Sequence, residues 1–278
     1  MRFRSYMAAG ALALPRYLTA AKEPRFRVGV TDWNLKKPGE IEALTIAKGL
    51  GIDGVQVSFG APGEGADLRQ AKSREAYLRA AREKGVALTS LAMGVLNKVP
   101  YKSAPETELW VSGAIDAAEA MGLEVILLAF FSKGDLKGDA EGTAEVIRRL
   151  KKVAPRAEDA GVVLGIESWL SAPEHLHIID AVGSPNVQVY YDVGNSTKMG
   201  YDICAEIRRL GVELICQVHA KDNAGKLFGQ GKVDFWEVRR ALDDIGYRGW
   251  VIIEGRTPFG LEGSYRHDYQ FLRGVLGA

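Results

Sequence analysis

From Arg25 onward, short runs rich in Val, Ile and Leu alternate with longer amphipathic stretches. The strand-like runs are residues 26–33, 54–59, 86–93, 124–131, 162–169, 187–193, 214–220 and 250–254. The helix-like stretches are 38–50, 74–84, 106–121, 143–160, 173–182, 201–210, 235–245 and 264–276. Gly51, Gly85, Gly122, Gly161 and Gly211 stand just before the next strand. A glycine there suits a left-handed residue that closes a helix. Strands apolar on both faces suit parallel pairing under a cover of helices. Eight strand–helix repeats over about 250 residues predict an α/β chain folded as a single (β/α)8 TIM barrel. An open doubly wound sheet would need a glycine-rich phosphate-binding turn after its first strand. Here that strand runs into Thr31-Asp32-Trp33-Asn34. No linker divides residues 25–278, which read as one domain.

Composition narrows the partners. The chain is 47% apolar and 26% charged, which is ordinary for a protein with a buried core. Its net charge of +1, with no basic block, argues against a nucleic-acid partner. No uninterrupted apolar run is long enough to span a bilayer. Cys204 and Cys216 form no CxxC and read as small buried hydrophobes. Residues 1–24 differ from the rest. Arg2 and Arg4 precede an apolar stretch at 7–14, and small residues follow near 18–21. This resembles a secretory signal peptide, but a poor one: Pro15 and Arg16 interrupt it and its apolar run is short. An exported or periplasmic location is one expectation, and a cytoplasmic protein with an N-terminal extension is the other.

The last four strands carry the candidate chemistry. They read VVLGIES, VQVYYDV, LICQVHA and WVIIEG. Each apolar run ends in one metal-capable side chain: Glu167, Asp192, His219 or Glu254. A carboxylate at the end of a buried strand is costly unless it is paired or metal-bound. Any one of them would also suit an ion pair or a helix cap. Four in succession at the C-terminal ends of barrel strands point to one site. Three carboxylates and an imidazole suit Mn²⁺ first, with Mg²⁺, Co²⁺ or Zn²⁺ as alternatives.

The stretches GIES, YYDVGN, VHAKD, GQGKVDF and VIIEG, from Gly165 to Arg256, resemble the sugar phosphate isomerase/epimerase superfamily of xylose-isomerase-like barrels. The resemblance implies that Glu167, Asp192, His219 and Glu254 hold one divalent metal. It also implies that Glu167 and Glu254 exchange protons with a sugar-like substrate from opposite sides. The reaction expected is isomerisation or epimerisation of a sugar, sugar phosphate or cyclitol. A dehydratase acting on a keto-cyclitol or a dehydroshikimate-like acid is an alternative, as is a sugar-binding barrel without catalysis. Two positions depart from the family pattern. Asn195 replaces a second histidine that many members carry, and Gly229-Gln230-Gly231 replaces a common GEG.

Other residues fall near the expected mouth. Lys221 and Arg256 each lie two residues after a ligand and, at strand period, share its face. Both are candidates to bind substrate, with Asn195 and Trp33. Phe130 and Phe131 are candidates for an aromatic wall, and Gln56 and Ser58 for substrate contacts. Asp222 reads as a partner of Lys221 or a cap for the following loop. Ser171-Ala172-Pro173-Glu174 reads as a capping box and Asp234 as an N-cap. His175 and His177 point different ways on one helix, and His267 is expected in solvent.

Overall fold

The computed structural model describes residues 25–223 and 225–277, so the candidate signal peptide lies outside the described residues. Eight parallel strands close into a barrel in chain order. They are β1 (Phe26–Thr31), β2 (Gly54–Ser58), β3 (Ala87–Met93), β4 (Val125–Phe130), β5 (Val163–Ser168), β6 (Val187–Asp192), β7 (Ile215–Ala220) and β8 (Gly249–Ile253). β1 pairs with both β2 and β8, which seals the ring. Strand alternation divides the apolar residues into two populations. In β4, Ile126, Leu128 and Phe130 face the large core shared with helix residues such as Ile115, Val146 and Leu150. Val125, Leu127 and Ala129 face the barrel interior with Tyr190, Trp250 and Ile252.

The helices are α1 (Glu42–Leu50), α2 (Ala71–Lys84), α3 (Glu106–Met121), α4 (Ala140–Asp159), α5 (Ala172–Val182), α6 (Val193–Lys198), α7 (Ile203–Leu210), α8 (Phe235–Asp244) and α9 (Gly260–Leu276). Gly51, Gly85 and Gly122 are left-handed C-caps of α1, α2 and α3, as expected. Gly161 follows the α4 cap at Ala160 and has φ +65°. Gly211 departs: its ψ of 174° is extended. The predicted helix over 201–210 is shorter, and α6 precedes it unannounced. No helix among the described residues is long and apolar enough to cross a membrane. Cys204 and Cys216, expected as small buried hydrophobes, are free and only partly buried, each packed against a core cluster.

Candidate metal centre and active-site cavity

The four strand-end residues converge. One donor atom from each of Glu167, Asp192, His219 and Glu254 lies within 4.8 Å of all the others. His219 Nδ1 is 3.0 Å from Glu167 Oε1, 3.7 Å from Glu254 Oε2 and 3.9 Å from Asp192 Oδ2. A first-row divalent ion with bonds of about 2.0–2.2 Å keeps its donors about 2.8–4.4 Å apart. These three separations fall inside that span. Asp192 Oδ2 is also buried without a hydrogen-bond partner. A buried carboxylate oxygen without a hydrogen bond, facing two further carboxylates, suits a cation. The donor set therefore fits a single divalent ion.

Local structure explains how Asp192 is aimed. It is the N-cap of α6, and its Oδ1 accepts the Asn195 N–H at 2.7 Å. The cap fixes the carboxylate and leaves Oδ2 free for the cluster. A strand-end aspartate can thus cap a helix with one oxygen and still offer the other to the cluster.

Charge is unevenly shared. Burial pushes Asp192 up to about 7; Glu254 and Glu167 add to that rise, while Lys221 and His219 oppose it. Burial also pushes Glu254 up, but Lys221, His219 and the hydrogen bonds from Lys221 and Trp33 outweigh it and hold the carboxyl down at about 2. Lys221 Nζ donates to Glu254 Oε2 at 2.7 Å and lies 3.5 Å from Asp192 Oδ2. Trp33 Nε1 donates to Glu254 Oε1 at 3.3 Å. Burial disfavours the charged His219 ring, yet the three carboxylates raise its pKa overall.

A cavity of about 620 Å³ opens over the cluster. Glu167 and Glu254 line it together with Trp33, Phe131, Asn195 and Lys221, whereas Asp192 and His219 are not among its lining residues. Arg256 is not brought to the cavity. β8 ends at Ile253, so the alternation that would carry Arg256 inward stops, and its side chain is exposed. Phe130 is packed outward in the large core, and only Phe131 reaches the cavity. Ser58 lines the cavity, but its hydroxyl donates to Asp32 at 2.6 Å. Gln56 is fully buried beneath His219 and does not line this cavity.

The bland expectations elsewhere are mostly met. Glu174 completes the α5 capping box, and Asp234 caps α8. His175 is buried on Ser168 Oγ, and His177 is exposed. His267 is an exception: it is half-buried, with Nε2 donating to the Phe228 carbonyl at 3.1 Å. Asp32 was missed. Its carboxylate accepts the Gly39 and Ser58 N–H groups at 2.8 and 2.7 Å and so ties the loop after β1 to the end of β2.

Residues 44–275 match the model of the family described as xylose isomerase-like TIM barrel. The chain belongs to that family. Among curated relatives, it is 31% identical over 201 residues to a 2-epi-5-epi-valiolone 7-phosphate 2-epimerase of Actinoplanes, covering 70% of this chain and 72% of that one. It is 29% identical over 243 residues to the putative L-ribulose-5-phosphate 3-epimerase SgbU of Escherichia coli, covering 77% and 82%. The fold matches a D-psicose 3-epimerase at TM-score 0.75 and 18% identity, over 91% of this chain and all of the other. It matches the 3-keto-D-glucoside 4-epimerase YcjR of E. coli at TM-score 0.76 and 17% identity, over 90% and 99%.

Asn195, a departure from the xylose-isomerase-like pattern, and Gly231, which flanks the departing Gln230, have visible structural settings. Asn195 is buried on α6 and lines the cavity beside Lys221. Gly231 sits against Asp222, whose carboxylate accepts the N–H groups of Asn223, Gly231, Lys232 and Val233. Asp222 thus organises the 222–233 loop rather than Lys221. A Cβ on Gly231 would fall 1.9 Å from Asp222 Oδ1. The substitution Gly231→Ala is expected to cost about 1–3 kcal/mol of stability by overpacking. A thermal or urea melt against wild type checks it, and an unchanged midpoint contradicts the loop-anchoring role.

Proposed function

We propose that this protein is a divalent-metal-dependent epimerase of a keto-sugar, ketose phosphate or keto-cyclitol, with Glu167 and Glu254 as the paired acid and base. The observation that carries this reading is that, of four convergent side chains able to hold a metal, only the two glutamates line the cavity. Asp192 and His219 lie behind them and serve to hold the ion. A bound cation, Mn²⁺ foremost, supplies Lewis acidity toward the carbonyl and neighbouring hydroxyl of the substrate. One glutamate takes the proton from the carbon beside the carbonyl. The other, three strands away around the barrel, returns a proton on the opposite face and inverts that carbon. Lys221 and Trp33 keep Glu254 ionised and oriented. Lys221 and Asn195 are placed to bind substrate oxygens. The names of these two relatives, a 2-epimerase and a putative 3-epimerase of phosphorylated substrates, support the reading.

The test is incubation with Mn²⁺ in D₂O, using L-ribulose 5-phosphate and D-fructose as first probes. Deuterium is expected at the carbon next to the carbonyl, with inversion there. A panel of keto-sugars and their phosphates that gains no deuterium would contradict the assignment. Loss of water in place of inversion would move the site to lyase chemistry.

A further inference from the structure

A polar layer crosses the barrel interior beneath His219. Its members Gln56, Ser90, Tyr190 and Gln217 are all buried. Directionality can be read from one end. Gln217 Nε2 meets the Thr89 carbonyl at 2.9 Å, and a carbonyl only accepts. Gln217 Oε1 must then accept the Ser90 and Tyr190 hydroxyl protons, both at 2.9 Å. With those protons committed, both hydroxyl oxygens can only accept from Gln56, whose Nε2 is 3.1 Å from Ser90 and 3.0 Å from Tyr190. Gln56 therefore presents Oε1 to His219 Nε2, at 2.8 Å.

We infer that this amide–hydroxyl relay, through Gln56, locks the proton of His219 onto Nε2 and reserves Nδ1 as the ligand atom toward the carboxylates. Gln56 is a positioning residue: it acts through His219 and touches no substrate. The inference deepens the cation-site reading and rests on it. Reversing His219 would require turning two amides and leaving Thr89 facing an acceptor. In a buried layer each such mismatch costs a full desolvation penalty. Whatever occupies Nδ1, the Nε2 proton stays.

The experiment uses full-length protein labelled with ¹⁵N-histidine. His219 nitrogens are read by long-range ¹H–¹⁵N correlation, metal-free and loaded with diamagnetic Zn²⁺, and Mn²⁺ affinity is measured by calorimetry. Wild type is expected to show a protonated Nε2 in both states and Zn²⁺ on Nδ1. Gln56→Met removes the acceptor at similar volume. It is expected to speed exchange of the Nε2 proton and weaken Mn²⁺ binding by about 10- to 100-fold. Tyr190→Phe leaves Ser90 to carry the direction and is expected to keep the wild-type nitrogen pattern. Zn²⁺ bound through Nε2, or wild-type affinity and nitrogen pattern in Gln56→Met, overturns the inference. If wild type takes up no metal, the cation site falls by itself. The relay is then judged on the metal-free spectra, where a protonated Nε2 supports it and an unprotonated one overturns it. The wild-type spectra decide the matter if Gln56→Met does not fold.

Discussion

Glu254→Gln is expected to lower turnover by about 10²- to 10⁴-fold, the usual worth of a positioned acid–base group. The substitution keeps the size of the side chain and removes its charge. The amide cannot take a proton from carbon, and its nitrogen must face one of the two donors that the carboxylate now serves, the Lys221 ammonium or the Trp33 N–H. Because Glu254 is also one of the four convergent donors, the assay is run at saturating Mn²⁺ so that weaker metal binding does not masquerade as lost chemistry. Deuterium exchange at the substrate carbon should fall with turnover. Exchange at the wild-type rate in the variant would remove Glu254 from the acid–base role. A melting curve guards against a folding defect.

Metal binding is expected to weaken steeply in acid. Asp192 is raised to about 7 by burial first, so below that pH a cation must displace a proton to reach Oδ2. Competition with one proton lowers apparent affinity by about tenfold per pH unit below 7. His219, also raised, adds to the slope. Calorimetric Mn²⁺ titration at pH 5.5 and 7.5 measures it; equal affinities would contradict the prediction. The metal-free protein should respond in the opposite sense. Between about pH 4 and 7 the folded state retains a proton on Asp192 that the unfolded state has lost. Stability then falls as pH rises through that window. Asp32 and Asp268, each raised to about 6 by burial, act in the same direction. Glu254, held at about 2, acts the other way, and its contribution is lost only as pH falls from about 4.5 toward 2. Saturating Mn²⁺ should abolish the decline near neutrality, and Asp192→Asn should flatten it without metal.

The barrel was legible because its signals are strong and local: apolar runs, amphipathic spacing and glycine caps. The four converging residues were legible because a carboxylate or imidazole is conspicuous at the end of a run such as WVIIEG. Details that depend on phase and depth were not. Phe130 and Phe131 differ by one residue, and only the position of the barrel wall decides which enters the cavity. Gln56 is a candidate for substrate contact by sequence, but sequence period gives no depth, and the residue lies one layer below the mouth. α6 reads VGNSTK, a poor helix by propensity, and forms where Asp192 caps it. Arg256 was misplaced because the end of β8 carries no mark in the sequence. Asp32 lacked a signal because its partners, Gly39 and Ser58, are brought to it only by the folded loops.

Everything functional depends on Glu167, Asp192, His219 and Glu254 sharing one ion. Anomalous diffraction from Mn²⁺-loaded crystals tests that most directly. The expected result is a single peak per chain at about 2.0–2.2 Å from a carboxylate oxygen of each acid and from His219 Nδ1. No peak there, or a peak bound by other residues, would contradict it.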